Sequence, residues 1–166
     1  MRFIISSLAA VAVVFSFPVM AQGPSLDDET RQDYECLALN IYYESRGSNL
    51  ADMAAVSDVV LNRVQDMRYP GTICGVVKQG PLDSKGNPIR HKCQFSWYCD
   101  GKSDRPTDED SYKKALLIAG QMLFQGRYRG ISEGATHYHA NYVNPGWAKK
   151  ITQIGRIGDH IFYRWD

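Results

Sequence analysis

An excess of either charge is the first thing this chain lacks: 19 Lys and Arg stand against 18 Asp and Glu across 166 residues. A chain so balanced has no phosphate-directed basic surface, which excludes the ordinary nucleic-acid binder. Its cysteines include no C-x-x-C pair, so the usual zinc-finger spacing is absent. Its histidines include no H-E-x-x-H string, so the zinc-protease helix is absent too. Internal repeats and low-complexity tracts are missing, which leaves one ordinary globular domain. Long apolar runs are nearly missing. The longest, Phe3 to Phe17, is shorter than the roughly 20 residues a bilayer span needs.

That run has another reading. It follows a basic Met1-Arg2 start and ends in Pro18-Val19-Met20-Ala21, small residues of the kind a signal peptidase reads. The layout is that of a secretory signal over 1-21, with cleavage expected after Ala21. An uncleaved N-terminal anchor is the weaker alternative. Residues 22-29 are then a polar lead-in, and 30-166 are one domain, large enough to bury a core without staples. The expected location is outside the cytoplasm, periplasmic or secreted, with no membrane contact after cleavage, no nucleic acid and no partner copy. In that compartment four cysteines read as two disulfides. Three pairings are possible. Cys93 and Cys99 flank a short segment that a local bridge would close, which leaves Cys36 for Cys74.

Helical spacing runs from Thr30 to Tyr43 or Glu44, with Gly47 as a stop. Asn49 is placed to cap a second helix reaching about Met67, with Leu50, Met53, Ala54, Val60, Leu61 and Val64 on its core face. Thr72 to Val77 is apolar but of uncertain type. Gly80 to Lys92 reads as loop. Thr107, followed by three acids, starts a helix that runs to about Phe124 and ends at Gly126. Thr136 to Tyr142 alternates like a strand. Ile151–Ile157 and Ile161–Trp165 read as a hairpin around Gly158-Asp159, with Gly first in a type II′ turn. Helices first and a small antiparallel sheet last give an α+β fold.

Chemistry centres on Glu44 in "LNIYYESRG". An exposed carboxylate is a poor proton donor at neutral pH, whereas burial beside Tyr42 and Tyr43 would disfavour its charge and make it one. A glutamic acid so tuned is a typical general acid for glycosidic bonds. The plain alternative is a cap or ion pair with Arg46. The string "LALNIYYESRG" is followed in order by "AVSDVVLNRV", "YPGTICGVVKQG", "CQFSWYCDG", "THYHANYVNPGW" and "IGDHIFYRW". From about Cys36 to Trp165 the chain resembles the cell-wall hydrolase family of spore cortex-lytic enzymes (SleB type). The resemblance implies a compact catalytic domain related to lysozyme-like lytic transglycosylases, acting on peptidoglycan without a cofactor, with Glu44 as the catalytic acid. Where the family motif commonly reads "ARGE", this chain has Ser45 and Ser48, so a carboxylate beside the acid is missing.

Hydrolysing glycosidases usually need two carboxylates. Asp52 and Asp58, on the next helix, are expected to face water, and Asp100, Glu133 or Asp159 would have to fold toward the site. With a lone acid, the C6 hydroxyl of muramic acid becomes the nucleophile and a 1,6-anhydro product results. That favours lytic transglycosylation over muramidase hydrolysis of the muramic acid–glucosamine bond. Further candidates for glycan contact are Tyr43 beside the acid, Gln94, Ser96 and Trp97 in the Cys93–Cys99 loop, and His137, Tyr138 and Asn141 in the "THYHA" strand region. Trp147 reads as a loop anchor, Phe162 and Trp165 as core. Two other functions compete. His137, His139 and His160 would suit a metal-dependent N-acetylmuramoyl-L-alanine amidase, although no metal is expected. A non-catalytic wall-binding module is the other.

Overall fold

The protein was analysed as a computed structural model describing residues 26–166. The signal segment, the cleavage point and the start of the lead-in lie outside the described residues. Helix α1, Asp28–Ser45, begins where the Asp27 carboxylate accepts the Thr30 amide at 2.8 Å. Asp28 and Glu29 in its first turn suit the positive end of the helix dipole. It ends at Ser45, and the chain then turns at Gly47, whose φ of 89° is open to glycine without strain. Helix α2, Leu50–Gln65, starts under Asn49, whose side chain accepts the Asp52 amide at 2.9 Å.

The uncertain apolar piece is a short helix, α3, Ile73–Val77, capped by Thr72. Helix α4, Glu109–Gln125, is capped by Asp108 rather than Thr107, because the Asp108 carboxylate reaches the Ser111 amide and the Thr107 amide donates to Tyr42. Gly126 closes it in the left-handed conformation.

Three strands follow: β1 His137–Ala140, β2 Thr152–Ile157 and β3 His160–Arg164. All pair antiparallel in the order β1-β3-β2, so the last strand is central. Gly158 at φ 57° makes the β2–β3 turn. The first strand is shorter than its alternation suggests: the Asn141 amide still donates to the carbonyl of Asp159, its register partner, at 2.8 Å, but the Asp159 amide turns to Asp52 instead of returning the bond.

Helix α2 is the organising element. One side packs Met53, Ala54, Val60 and Leu61 among residues of α1, α3 and α4, including Leu37, Ile41, Val76 and Ala119. The other side packs Ala55, Val56 and Val59 against Ala135 and Phe162 of the sheet region. Each fully buried large apolar side chain stabilises by about 1.5–3 kcal/mol, so both contacts contribute.

Enclosure on two sides overturns the expectation that Asp52 and Asp58 face water. Both are fully buried. Asp58 is satisfied by Arg129, the amides of Gly130 and Ser132 and the Ser132 hydroxyl, and Asp52 by His160 and the Asp159 amide. Leu50, expected in the core, is 44% exposed because it opens the helix ahead of the covered face. Trp165 is 48% exposed, lying beyond the last strand under the Arg68 guanidinium. Phe162 is core as expected. Disulfides join Cys36 to Cys74 and Cys93 to Cys99, tying α1 to α3 and closing the Gln94–Tyr98 loop.

Candidate active site

Glu44 lies in the last turn of α1, which places a carboxylate where the helix meets the sheet. Arg46 does not pair with it. The guanidinium turns back over the Tyr42 ring and donates to its hydroxyl at 2.8 Å. The partner of Glu44 comes from β1, where the Tyr138 hydroxyl donates to Oε2 at 3.0 Å. Among the described residues no donor is bonded to Oε1, which leaves that oxygen to carry a proton.

Burial raises the Glu44 proton affinity above that of an ordinary carboxyl, against the smaller opposing effects of the Tyr138 hydrogen bond and the charges of His160 and Arg63. The same enclosure holds the Tyr138 phenol well above its usual range, with Glu44 adding to the effect. Together they form a protonatable acid with a neutral hydrogen-bond donor on one of its oxygens.

Arg63 was not singled out by its sequence position. It occupies a core position of α2, 5% exposed, and its Nε donates to the Thr136 carbonyl at 2.7 Å. That bond holds the residue leading into β1, the strand that delivers Tyr138. The guanidinium also lies over the rings of Tyr69 and Phe95 at 5.2 and 5.5 Å. Among the described residues Nη1 has no hydrogen-bond partner. A cation at an otherwise apolar helical position was the available signal.

The disulfide loop brings an aromatic surface to the same helix. Phe95 is its buried anchor, and the Gln94 amide donates to the Gln79 carbonyl at 2.9 Å. The side chains of Gln94 and Ser96 are exposed. Trp97 stacks on Tyr43 with ring centres 4.7 Å apart and planes 17° off parallel, while its indole N–H donates to Asn40 at 3.3 Å. Tyr43 and Trp97 thus make a stacked aromatic pair at the same helix end as the acid. Asn40, one helical turn before Glu44, supports it and was missed in the sequence.

Alternation along β1 separates the remaining candidates. Tyr138 faces Glu44, whereas His137 and His139 face the other side and pack against Trp147 at 5.4 and 5.6 Å. His137 is held to about 4 by burial and by the nearby charges of Arg63 and Arg68, so it is neutral at physiological pH. His139 bonds the Tyr163 hydroxyl. His160 lies on the Tyr138 side of the sheet, with its Nδ1 on Asp52.

The three-histidine metal set therefore does not converge, and the amidase arrangement is corrected on that ground. Trp147 is the anchor it was expected to be, wedged against His137, His139 and Tyr163. Of the outlying acids, Asp159 comes nearest to the end of α1, accepting the Ser48 hydroxyl at 3.1 Å. Asn141 meets the same turn through its backbone. Glu133 is exposed, and its carbonyl meets Arg164 of β3.

A helix-rich α+β domain that offers a half-buried carboxyl at a helix–sheet junction matches a known catalytic fold. The catalytic domain of the germination-specific lytic transglycosylase SleB from Bacillus anthracis superimposes with a TM-score of 0.61 at 26% identity, over 84% of this chain and 100% of that one. The Bacillus cereus SleB catalytic domain gives 0.58 at 26% identity, covering 84% of this chain and 94% of that domain.

The sequence profile of the cell wall hydrolase family matches residues 47–163, and the chain belongs to that family. The matched span opens just after Glu44. A spore cortex-lytic enzyme of Halalkalibacterium halodurans is 30% identical over 132 residues, 78% of this chain and 34% of that enzyme. One from Bacillus subtilis is 26% identical over 133 residues, 80% of this chain and 38% of that enzyme. The chain thus spans between a third and a half of the length of the curated relatives it matches.

Proposed function

We propose that this protein cleaves the glycan strand of peptidoglycan between muramic acid and glucosamine, as a lytic transglycosylase with Glu44 as its one acid and base. The observation that carries the reading is the half-buried Glu44 carboxyl itself, its proton affinity raised by desolvation, bonded through Oε2 to Tyr138 and, among the described residues, without a donor on Oε1. Glu44 donates that proton to the glycosidic oxygen as the bond to the muramic acid C1 breaks. The resulting carboxylate then accepts the proton of the muramic acid C6 hydroxyl as that oxygen bonds to C1. The products are a 1,6-anhydromuramic end and a free glucosamine hydroxyl; no water is consumed and Glu44 ends protonated.

Tyr43 and Trp97 offer a stacking plate for one sugar face, and Gln94 and Ser96 exposed polar groups beside it. Asn141 stands at the hairpin turn beyond β1, within reach of a long strand. His137, on the opposite sheet face, has no direct role in this reading. The protein acts outside the cytoplasm, as a monomer, after loss of residues 1-21. Among the described residues no helix is long and apolar enough to cross a membrane.

A second reading has one observation in its favour. Asp159 folds toward the end of α1, where it meets Ser48. In a muramidase it would activate water in place of the C6 hydroxyl.

Clearing of purified sacculi by wild type and by Glu44→Gln tests the assignment. Clearing by wild type alone supports it; equal clearing by both removes Glu44 from the chemistry, and clearing by neither returns the wall-binding module.

A further inference from the structure

A fully buried carboxylate and a buried imidazole stand behind the acid and are used by nothing described so far. Asp52 Oδ1 and His160 Nδ1 are 2.9 Å apart, and Asp52 Oδ2 accepts the Asp159 amide at 3.2 Å. A turn this tight leaves no room to spare, since a side chain at Gly158 would meet the Asp52 Cβ at 2.6 Å. The imidazole is thereby fixed in orientation. Its ring meets the Tyr138 ring edge to face, 5.1 Å between centres, and the Tyr138 hydroxyl ends on Glu44 Oε2. Four side chains from α2, β3, β1 and α1 therefore form one contiguous array, Asp52–His160–Tyr138–Glu44.

We propose that Asp52 and His160 are positioning residues for Glu44: Asp52 orients the imidazole, and the imidazole both seats the Tyr138 ring and supplies a charge that acts on the Glu44 carboxylate. The missing acid at Ser48 acquires a different meaning in this arrangement. A second carboxylate is present, but it acts through a histidine and never touches the sugar. As Glu44 gives up its proton in bond breaking, an imidazolium nearby offsets the new negative charge, and Asp52 stabilises that imidazolium.

The groups facing Glu44 are Tyr138 from β1, His160 from β3 and Arg63 from α2; His160 and Arg63 both favour its ionised form. Those facing His160 are Asp52 from α2, Tyr138 from β1 and Glu44 from α1, while the Asp159 side chain turns away to Ser48. Arg63 keeps its charge at every accessible pH, so the His160 ring is the partner whose contribution a neutral substitution removes.

The inference rests on Glu44 being the acid, and two measurements on the full-length protein separate its failure from failure of that assignment. The first is the pH dependence of kcat/KM for His160→Gln and Asp52→Asn. The glutamine amide can still donate to Asp52, so the hairpin turn keeps its tie while the titrating charge is lost. The alkaline limb of His160→Gln is expected to move up by about one pH unit. Asp52→Asn should move it in the same direction, and the double variant no further than the larger single change.

The second is the imidazole titration followed by nitrogen NMR, with the His160 signal identified by its loss in His160→Gln. Coupling is reciprocal, so Glu44→Gln should lower the His160 midpoint. This second readout needs no catalysis, and the midpoint itself is followed in wild type and Glu44→Gln alone. Limbs unmoved in both single variants, or a His160 titration indifferent to Glu44→Gln, would overturn the proposal and leave Asp52–His160 a structural latch. If Glu44→Gln remains active, the functional assignment falls, whatever the titration shows.

Discussion

Removal of one oxygen, in Tyr138→Phe, tests how the acid is held. Among the described residues the phenol makes the one side-chain hydrogen bond on the Glu44 carboxyl, at 3.0 Å, and its ring stays packed against His160 and Phe162 without the hydroxyl. The change should therefore be confined to the bond. A hydrogen bond to a charged group is worth about 1.5–3 kcal/mol. It reaches full strength only when Glu44 is ionised, that is, as the proton passes to the leaving oxygen, so its loss should fall on the barrier rather than on substrate binding.

That converts to roughly a 10- to 150-fold loss in kcat with KM nearly unchanged. The sign on pH follows from the same bond. Tyr138 favours the carboxylate, so without it Glu44 holds its proton to higher pH and the alkaline limb should rise. Initial rates on soluble glycan fragments between acid and alkaline pH measure both effects. A loss carried by KM, or a limb that moves down, would refute the reasoning.

Glu44→Gln should abolish activity and yet raise the melting temperature at neutral pH. Burial raises the folded-state proton affinity of Glu44, so its ionisation costs stability as pH climbs past the ordinary glutamate value, and the amide escapes that cost. Below that value the two proteins should melt alike, and thermal scans at both pH values check it. Replacement of Cys36 and Cys74 by Ala opens a bridge spanning 38 residues. It should cost about 4 kcal/mol of stability in urea titration, against about 2 kcal/mol for the short Cys93–Cys99 loop. Trp97→Ala removes the plate on Tyr43 and should raise KM several-fold with a smaller effect on kcat. Chelator treatment should leave the rate unchanged, because His160 faces away from His137 and His139 and is engaged by Asp52.

Local signals made the frame legible. The caps at Asn49 and Gly126, the hairpin at Gly158 and the core position of Phe162 follow from short-range rules that tertiary contacts did not overrule. Glu44 stood out as a candidate through the ordered motifs of the family resemblance; an acid after two aromatics at a helix end was by itself a weak signal. What periodicity could not show is which polar residues are enclosed. Asp52 and Asp58 sit on a helix covered from two sides, and that coverage comes from segments far along the chain. The split of the histidines was half legible. Alternation puts His137 and His139 together, but only the β1–β3 register, Ala140 opposite His160, places His160 on the Tyr138 side.

The central claim, one acid with the substrate's own hydroxyl as nucleophile, is tested most directly by digesting purified peptidoglycan in heavy-oxygen water and weighing the fragments. The account predicts 1,6-anhydromuramic ends free of solvent oxygen, and none from Glu44→Gln. Reducing muramic acid ends carrying the heavy oxygen would contradict it and assign the second step to water.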